Sequence, residues 1–395
     1  ALPISTNFAY ETLQAQRAEK RANVSNVALR EFIFDDLIAP SAPGALEDWD
    51  WREDVRLIDV IDRAAESRPP AAPHAEPEPA SAFIDWSLGR AYRLLGRGAH
   101  AIPRLESALR SLQAAPDADP QLLRDIREDL VKAYYFSDDR VRIEKGVAIA
   151  RDLLEDSRQR HAAMRDVVRL RRLLANALKH WGRKVKERAS LEEADELLHE
   201  NLESLRRNER DEVWIHRELI DNQYASLLTR YERAKLDSAR SSEQWRTEMS
   251  TLAAQFRELA GEAEWRLGPT MQMTLNCHRE AGSMFAEAGE QERALEVYNE
   301  TLPLFREKFS ANHRETLTME LNIARRRFRI VQAQIKGAAD GATESQVAEL
   351  QDIRDAVEDI HSAMSRALGA DHGHVHAAHQ HLAEYEAELK KWTSD

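Results

Sequence analysis

The residues with the greatest chemical potential lie near the C-terminus, where Ala367-Leu-Gly-Ala-Asp-His-Gly-His-Val-His-Ala-Ala-His-Gln-His-Leu-Ala383 places five histidines in ten positions. On a helix His372, His376 and His379 fall at i, i+4 and i+7, so one face offers imidazoles to Zn²⁺ or Ni²⁺. Structural zinc sites, however, add a thiolate or carboxylate from a second element, and a terminal helix is an exposed cap where polar residues are expected. We therefore read the cluster as a solvated or pH-responsive face titrating at about pH 6.5 and assign no metal, His372, His376 and His379 being the weaker metal reading. Cys277-His278 is not a nucleophile and base either, since helix neighbours point about 100° apart and cannot share a proton. The chain contains no Gly-rich phosphate loop, no Gly-x-Ser-x-Gly and no His-Glu-x-x-His. Neither an enzyme nor a cofactor is expected.

The elements that would position these residues are helices. Ala, Leu, Glu and Arg dominate, charged residues make up 32%, and only 14 Gly and 13 Pro punctuate 395 positions. That is the composition of stacked amphipathic helices. A net charge of −13 and a pI near 5.6 exclude a nucleic-acid footprint and disfavour anionic lipid. No apolar run is long enough to cross a membrane. One cysteine forms no internal disulfide and leaves the compartment open. The start at Ala1, with no signal-peptide regions, reads as an excised fragment or a processed form.

Tyr10 to Ile38 lacks Gly and Pro and predicts one long helix, stopped by Pro40, Pro43 and Gly44. A short helix is expected over about Arg56 to Glu66. Five prolines between Arg68 and Ala80 predict a loop or linker. Residues 1–80 thus form one region and residues 81–395 a second.

The second region repeats. Leu88-Gly89-x-x-Tyr92 with Gly96, Ala101, Leu105 and Ala108 resembles the tetratricopeptide register, in which small residues sit where the two helices of a hairpin touch. Gly282, Phe285, Gly289, Ala294 and Tyr298 match it again. Weaker copies hold Ala175, Leu178, Gly182, Ala194 and Leu198, with Lys184 to Ser190 as a turn insertion, then Val131, Tyr134 and Ala148, then Ala225 and Leu228 with a partner helix over Glu243 to Leu267. Thr274-Leu275 recurs as Thr316-Leu317, and Ser310-Ala-Asn-His313 aligns with Gly369-Ala-Asp-His372. The histidine-rich segment is thereby the first helix of a further repeat, and His313 sits where the kinesin-light-chain style of tetratricopeptide carries Gly-x-x-His-x-x-Thr. The predicted fold is an all-α, right-handed α-solenoid of about six tetratricopeptide-like hairpins, with a long N-terminal helix and a C-terminal capping helix. Tyr92, Trp181, Tyr224, Phe285 and Tyr298 are expected in the core.

In such arrays the first helix of each hairpin lines the concave surface. The outward positions there are Trp86, Arg90, Arg93, Lys132, Arg169, Arg172, Asn176, Lys179, Asn222, Ser226, Arg279 and Arg325. On an acidic protein this row reverses the local sign, so the expected partner is a protein or peptide, acidic or ending in a free carboxylate, held by charge-assisted hydrogen bonds. The competing reading is that the arginines form ladders with carboxylates on adjacent hairpins.

Gln14-Ala-Gln-Arg-Ala-Glu-Lys-Arg, Phe32-Ile-Phe-Asp-Asp-Leu-Ile-Ala-Pro, Leu57-Ile-Asp-Val-Ile-Asp-Arg-Ala-Ala-Glu and Leu88-Gly-Arg-Ala-Tyr-Arg-Leu-Leu-Gly together resemble the region outside the membrane in single-pass regulators of Gram-negative bacteria. These are winged-helix activators of the CadC type and serine/threonine kinases with an extracytoplasmic tetratricopeptide array. The resemblance implies a non-catalytic periplasmic sensor, part of an inner-membrane protein, in which Tyr10 to Ile38 is a juxtamembrane helix and a homodimer is an admissible arrangement. The alternative is a cytoplasmic tetratricopeptide adaptor or scaffold.

Overall fold

The computed structural model describes residues 57–70, 79–115, 118–209, 212–237, 241–338, 341–368 and 373–393. The helix expected over Tyr10 to Ile38 and most of the proline-rich stretch lie outside them, as does His372. Among the described residues all regular structure is helical. The helices are α1 (Leu57–Ser67), α2 (Pro79–Leu94), α3 (Gly98–Ala114), α4 (Pro120–Tyr134), α5 (Arg140–Gln159), α6 (Met164–Val185), α7 (Arg188–Arg207), α8 (Val213–Lys235), α9 (Ser242–Leu267), α10 (Gln272–Glu287), α11 (Gln291–Phe309), α12 (Arg314–Gly337), α13 (Glu344–Leu368) and α14 (Gly373–Thr393). The chain divides into two compact units, residues 1–194 and 195–395.

Local chemistry sets the helix ends. Asp119 accepts from Gln121 N–H in front of Pro120, whose missing N–H costs nothing in a first turn. Asp139 caps α5 in the same way, and Ser241 with Gln244 forms a capping box on α9. Gly96 and Gly289 carry φ of +74° and +86° at the tight turns closing the α2/α3 and α10/α11 hairpins. Pro79, read from sequence as part of a loop, instead opens α2.

Within unit 1 the first helices touch in series, α2 to α4 to α6, and each packs on its own second helix or the one before it. Unit 2 repeats the pattern with α8 to α10 and α12 to α14. That alternation is a tetratricopeptide-like stack, and α14 occupies a first-helix place at its end. The small residues do what the register predicts. A Cβ on Gly89 would lie 2.7 Å from Leu105 Cγ, and one on Gly182 would lie 2.9 Å from Leu191 Cγ. Tyr92, Phe285 and Tyr298 are buried, whereas Trp181 and Tyr224 are only half-buried. Tyr385 of α14 stacks on Phe328 of α12 with centroids 4.0 Å apart and joins that core.

A hydrogen-bonded turn entering a first helix appears twice. Ser310 has φ +71° and its carbonyl accepts Thr316 Oγ1–H at 2.7 Å, while Gly268 has φ +105° and accepts Thr274 Oγ1–H at 2.8 Å. His313 is the N-cap of α12: its Nδ1 accepts Glu315 N–H at 3.2 Å and its ring stacks on Phe309 at 4.7 Å. One expectation fails locally. No turn insertion occupies Lys184 to Ser190, because α6 runs to Val185 and α7 begins at Arg188, leaving Lys186 in the left-handed region at φ +60°. The extra length sits in helices of 22 and 20 residues.

One packing detail predicts a pH effect. His180 stacks on Tyr135 at 5.1 Å and meets the edge of Phe136 at 5.4 Å. Burial first, then the charges of Lys179 and Arg183, push its pKa down to about 3. The unfolded chain therefore binds a proton below its ordinary pKa of about 6.5 that the fold refuses. This contribution to stability is complete above about pH 6.5 and is lost as pH falls toward 3. Urea midpoints measured across that window should fall more steeply for the native sequence than for His180→Phe. Parallel curves would contradict the packing described.

Candidate binding face

Unit 1 gathers five of the expected residues. Trp86, Arg90 and Arg93 stand on α2, Lys132 on α4 and Arg169 on α6. They meet at two carboxylates of α4, Glu128 and Asp129, whose side chains are 8% and 5% exposed. Carboxylates taken so far out of water require cationic or hydrogen-bonding partners, and they have them. Arg93 Nη2 lies 2.9 Å from Asp129 Oδ1, and Trp86 Nε1–H donates to Asp129 Oδ2 at 2.9 Å. Glu128 is paired with Arg169 and, at 3.6 Å, with Lys132; Arg169 also reaches Asp166 at 3.2 Å. Burial first, with the neighbouring Arg93 and Arg169 charges, lowers the Lys132 pKa against the opposing pull of Glu128 and Asp129.

Arg90 differs from the rest. Its side chain is 51% exposed, it approaches Asp129 only to 3.9 Å, and its guanidinium lies 5.5 Å from the centre of the Trp86 ring. A guanidinium held over an indole keeps most of its five donors directed elsewhere. The local arrangement is thus a pair of buried anions ringed by four cations, one of them well exposed, on a chain whose net charge is −13.

The remaining candidates fall in other settings. Farther along α6, Lys179 Nζ–H donates to Asn176 Oδ1 at 3.2 Å. Arg172 lies near Tyr135, whose hydroxyl donates to Leu173 O at 2.7 Å. In unit 2, Arg279 pairs with Glu315 at 2.9 Å and Glu280 at 3.7 Å. Arg325 is half-buried and acts electrostatically on Tyr298, His381 and Tyr385. Asn222 is a correction: expected on an open surface, it is 0% exposed and accepts Asn201 Nδ2–H at 2.9 Å. Ser226 Oγ–H is likewise turned to Asp195 Oδ1 at 2.8 Å.

Glu128, Asp129 and Glu315 are the residues that outward-position counting overlooked. The ladder reading contained the signal, since it expected carboxylates on a neighbouring hairpin. Of the histidines, His376 and His379 are exposed, and among the described residues no three His, Cys, Asp or Glu side chains converge on a common point. Burial, then the nearby Glu280 and Asp221 charges, raises the Cys277 thiol to about 12. Among the described residues no helix is long and apolar enough to cross a membrane.

No family profile matches the chain, and no curated protein resembles it at a significant level. Solved structures do. A Rap protein complexed with competence and sporulation factor is 13% identical with a TM-score of 0.49, over 94% of this chain and 99% of that one. Two structures of the nearly identical TPR-like repeats of a Podosopora anserina kinesin light chain follow, at 13% and 12% identity and TM-scores of 0.40 and 0.39. They cover 63% and 57% of this chain and 98% and 96% of their own.

Proposed function

We propose that the first-helix face of unit 1 binds a protein or peptide segment through that segment's carboxylates. The observation that supports this is Arg90: half-exposed, held over Trp86 and only loosely engaged by Asp129. An incoming carboxylate meets a guanidinium already positioned, with Arg93, Lys132 and Arg169 arranged around it. Glu128 and Asp129 hold those side chains in place, so little rotamer freedom is lost on binding. Asp or Glu side chains and a free C-terminus share the required chemistry.

The experiment measures fluorescence anisotropy of labelled hexaglutamate on the full chain. Arg90→Gln with Lys132→Gln should weaken binding at least tenfold, and Arg151→Gln, which removes an exposed pair between Arg151 of α5 and Glu193 of α7, should leave it unchanged. Equal loss in both variants would reduce the effect to overall charge and defeat the reading.

By the resemblance of residues 10–110, this face serves as the extracytoplasmic sensor of a single-pass regulator, signalling through differential affinity for two conformations. Proteolysis of the array in intact spheroplasts would support that placement. Protection until the inner membrane is lysed would favour the cytoplasmic adaptor.

A further inference from the structure

Unit 2 has a second surface of opposite character. The second helices α11 and α13 flank α12 and leave an open groove of about 350 Å³. Its floor is apolar, formed by Leu302 of α11, Ile323 and Ala324 of α12, and Ile353 and Ile360 of α13. Ion pairs Arg306–Glu320 at 2.7 Å and Arg327–Glu349 at 3.3 Å tie down the two cations at its rim.

The exposed surface beside that floor is acidic. Asp352, Asp355, Glu358 and Asp359 of α13 are all exposed, and Arg354 of the same helix engages only Asp355, at 2.8 Å, and Glu358, at 3.4 Å, among them. Asp359 lies on the groove itself. The Asp359 carboxylate beside branched aliphatic side chains suits an occupant with apolar and donor groups on adjacent faces.

From this complementarity we infer that the groove docks a basic amphipathic helix of a partner protein. Its Leu or Ile side chains, spaced i and i+3 or i+4, lie on the floor, and a flanking Lys or Arg reaches Asp359. A second copy of this chain, with a net charge of −13, is the poorer occupant by charge. The site is independent of the carboxylate-binding face, which selects the opposite sign.

The test titrates the full chain into a labelled amphipathic Leu/Lys peptide of about 14 residues and, separately, a peptide of the same composition scrambled to destroy the helical stripe. The amphipathic peptide should bind at least tenfold more tightly. Asp359→Lys and Ala356→Arg, both at exposed groove positions, should each weaken it at least tenfold while leaving far-UV circular dichroism and hexaglutamate binding unchanged. Arg90→Gln with Lys132→Gln should not affect it. Equal binding of the two peptides, indifference to both groove variants, or loss in the Arg90/Lys132 variant would each overturn the inference.

Discussion

Asp85→Leu should lower the unfolding free energy of unit 1 by about 3–5 kcal/mol, while Asp85→Leu combined with Arg104→Met should recover most of that loss. Asp85 of α2 and Arg104 of α3 are 4% and 5% exposed and pair at 2.7 Å. Arg104 Nη2–H also donates to Ala65 O at 2.5 Å and so ties α1 to the first hairpin. Removing the carboxylate alone leaves a guanidinium buried without its counter-charge. Replacing both lets apolar side chains fill the space and relieves the desolvation the pair carries, including that of Asp85 Oδ2, which has no hydrogen-bond partner. Urea denaturation followed by circular dichroism reads both variants. A single-variant cost below about 1 kcal/mol would mean that water reaches the pair.

Gly282→Ala should destabilise unit 2 by about 1–3 kcal/mol, although helix propensity alone predicts a gain of about 1 kcal/mol. The added Cβ would stand 2.7 Å from Tyr298 Cζ and 2.8 Å from Cδ1. Tyr298 cannot yield easily, being 2% exposed with its hydroxyl 3.1 Å from Ser283 Oγ. Gly261→Ala in α9 is the comparison, since a Cβ there meets nothing within 4 Å and should stabilise by about 0.5–1 kcal/mol. Opposite signs at two helical glycines would isolate close helix approach as the cause. Stabilisation at both would refute the tetratricopeptide packing.

The repeat was legible because its determinants are local or lie within one hairpin. Gly89, Gly182 and Gly282 mark helix contacts, Gly96 and Gly289 mark turns, and Ser310 to Thr316 reproduces Gly268 to Thr274 as a hydrogen-bonded entry to a first helix. Helix lengths were less legible: of the residues read as an insertion at Lys184 to Ser190, Lys184 and Val185 continue α6 and Arg188 to Ser190 open α7, since nothing in Arg183-Lys-Val forbids helix before the left-handed Lys186.

The cationic face of unit 1 divides in the same way. Sequence by itself determined that Arg90, Arg93, Lys132 and Arg169 occupy outward positions of successive first helices, because a period of 3.6 assigns faces without reference to neighbours. Only tertiary structure decided that Glu128 and Asp129 of α4 hold them, that Arg90 keeps the loosest grip, and that Asn222 turns inward to Asn201. Those outcomes depend on how far one hairpin slides and rotates on the next. The interhelical contacts that set this offset join residues some 20 to 40 positions apart, beyond the reach of any local pattern.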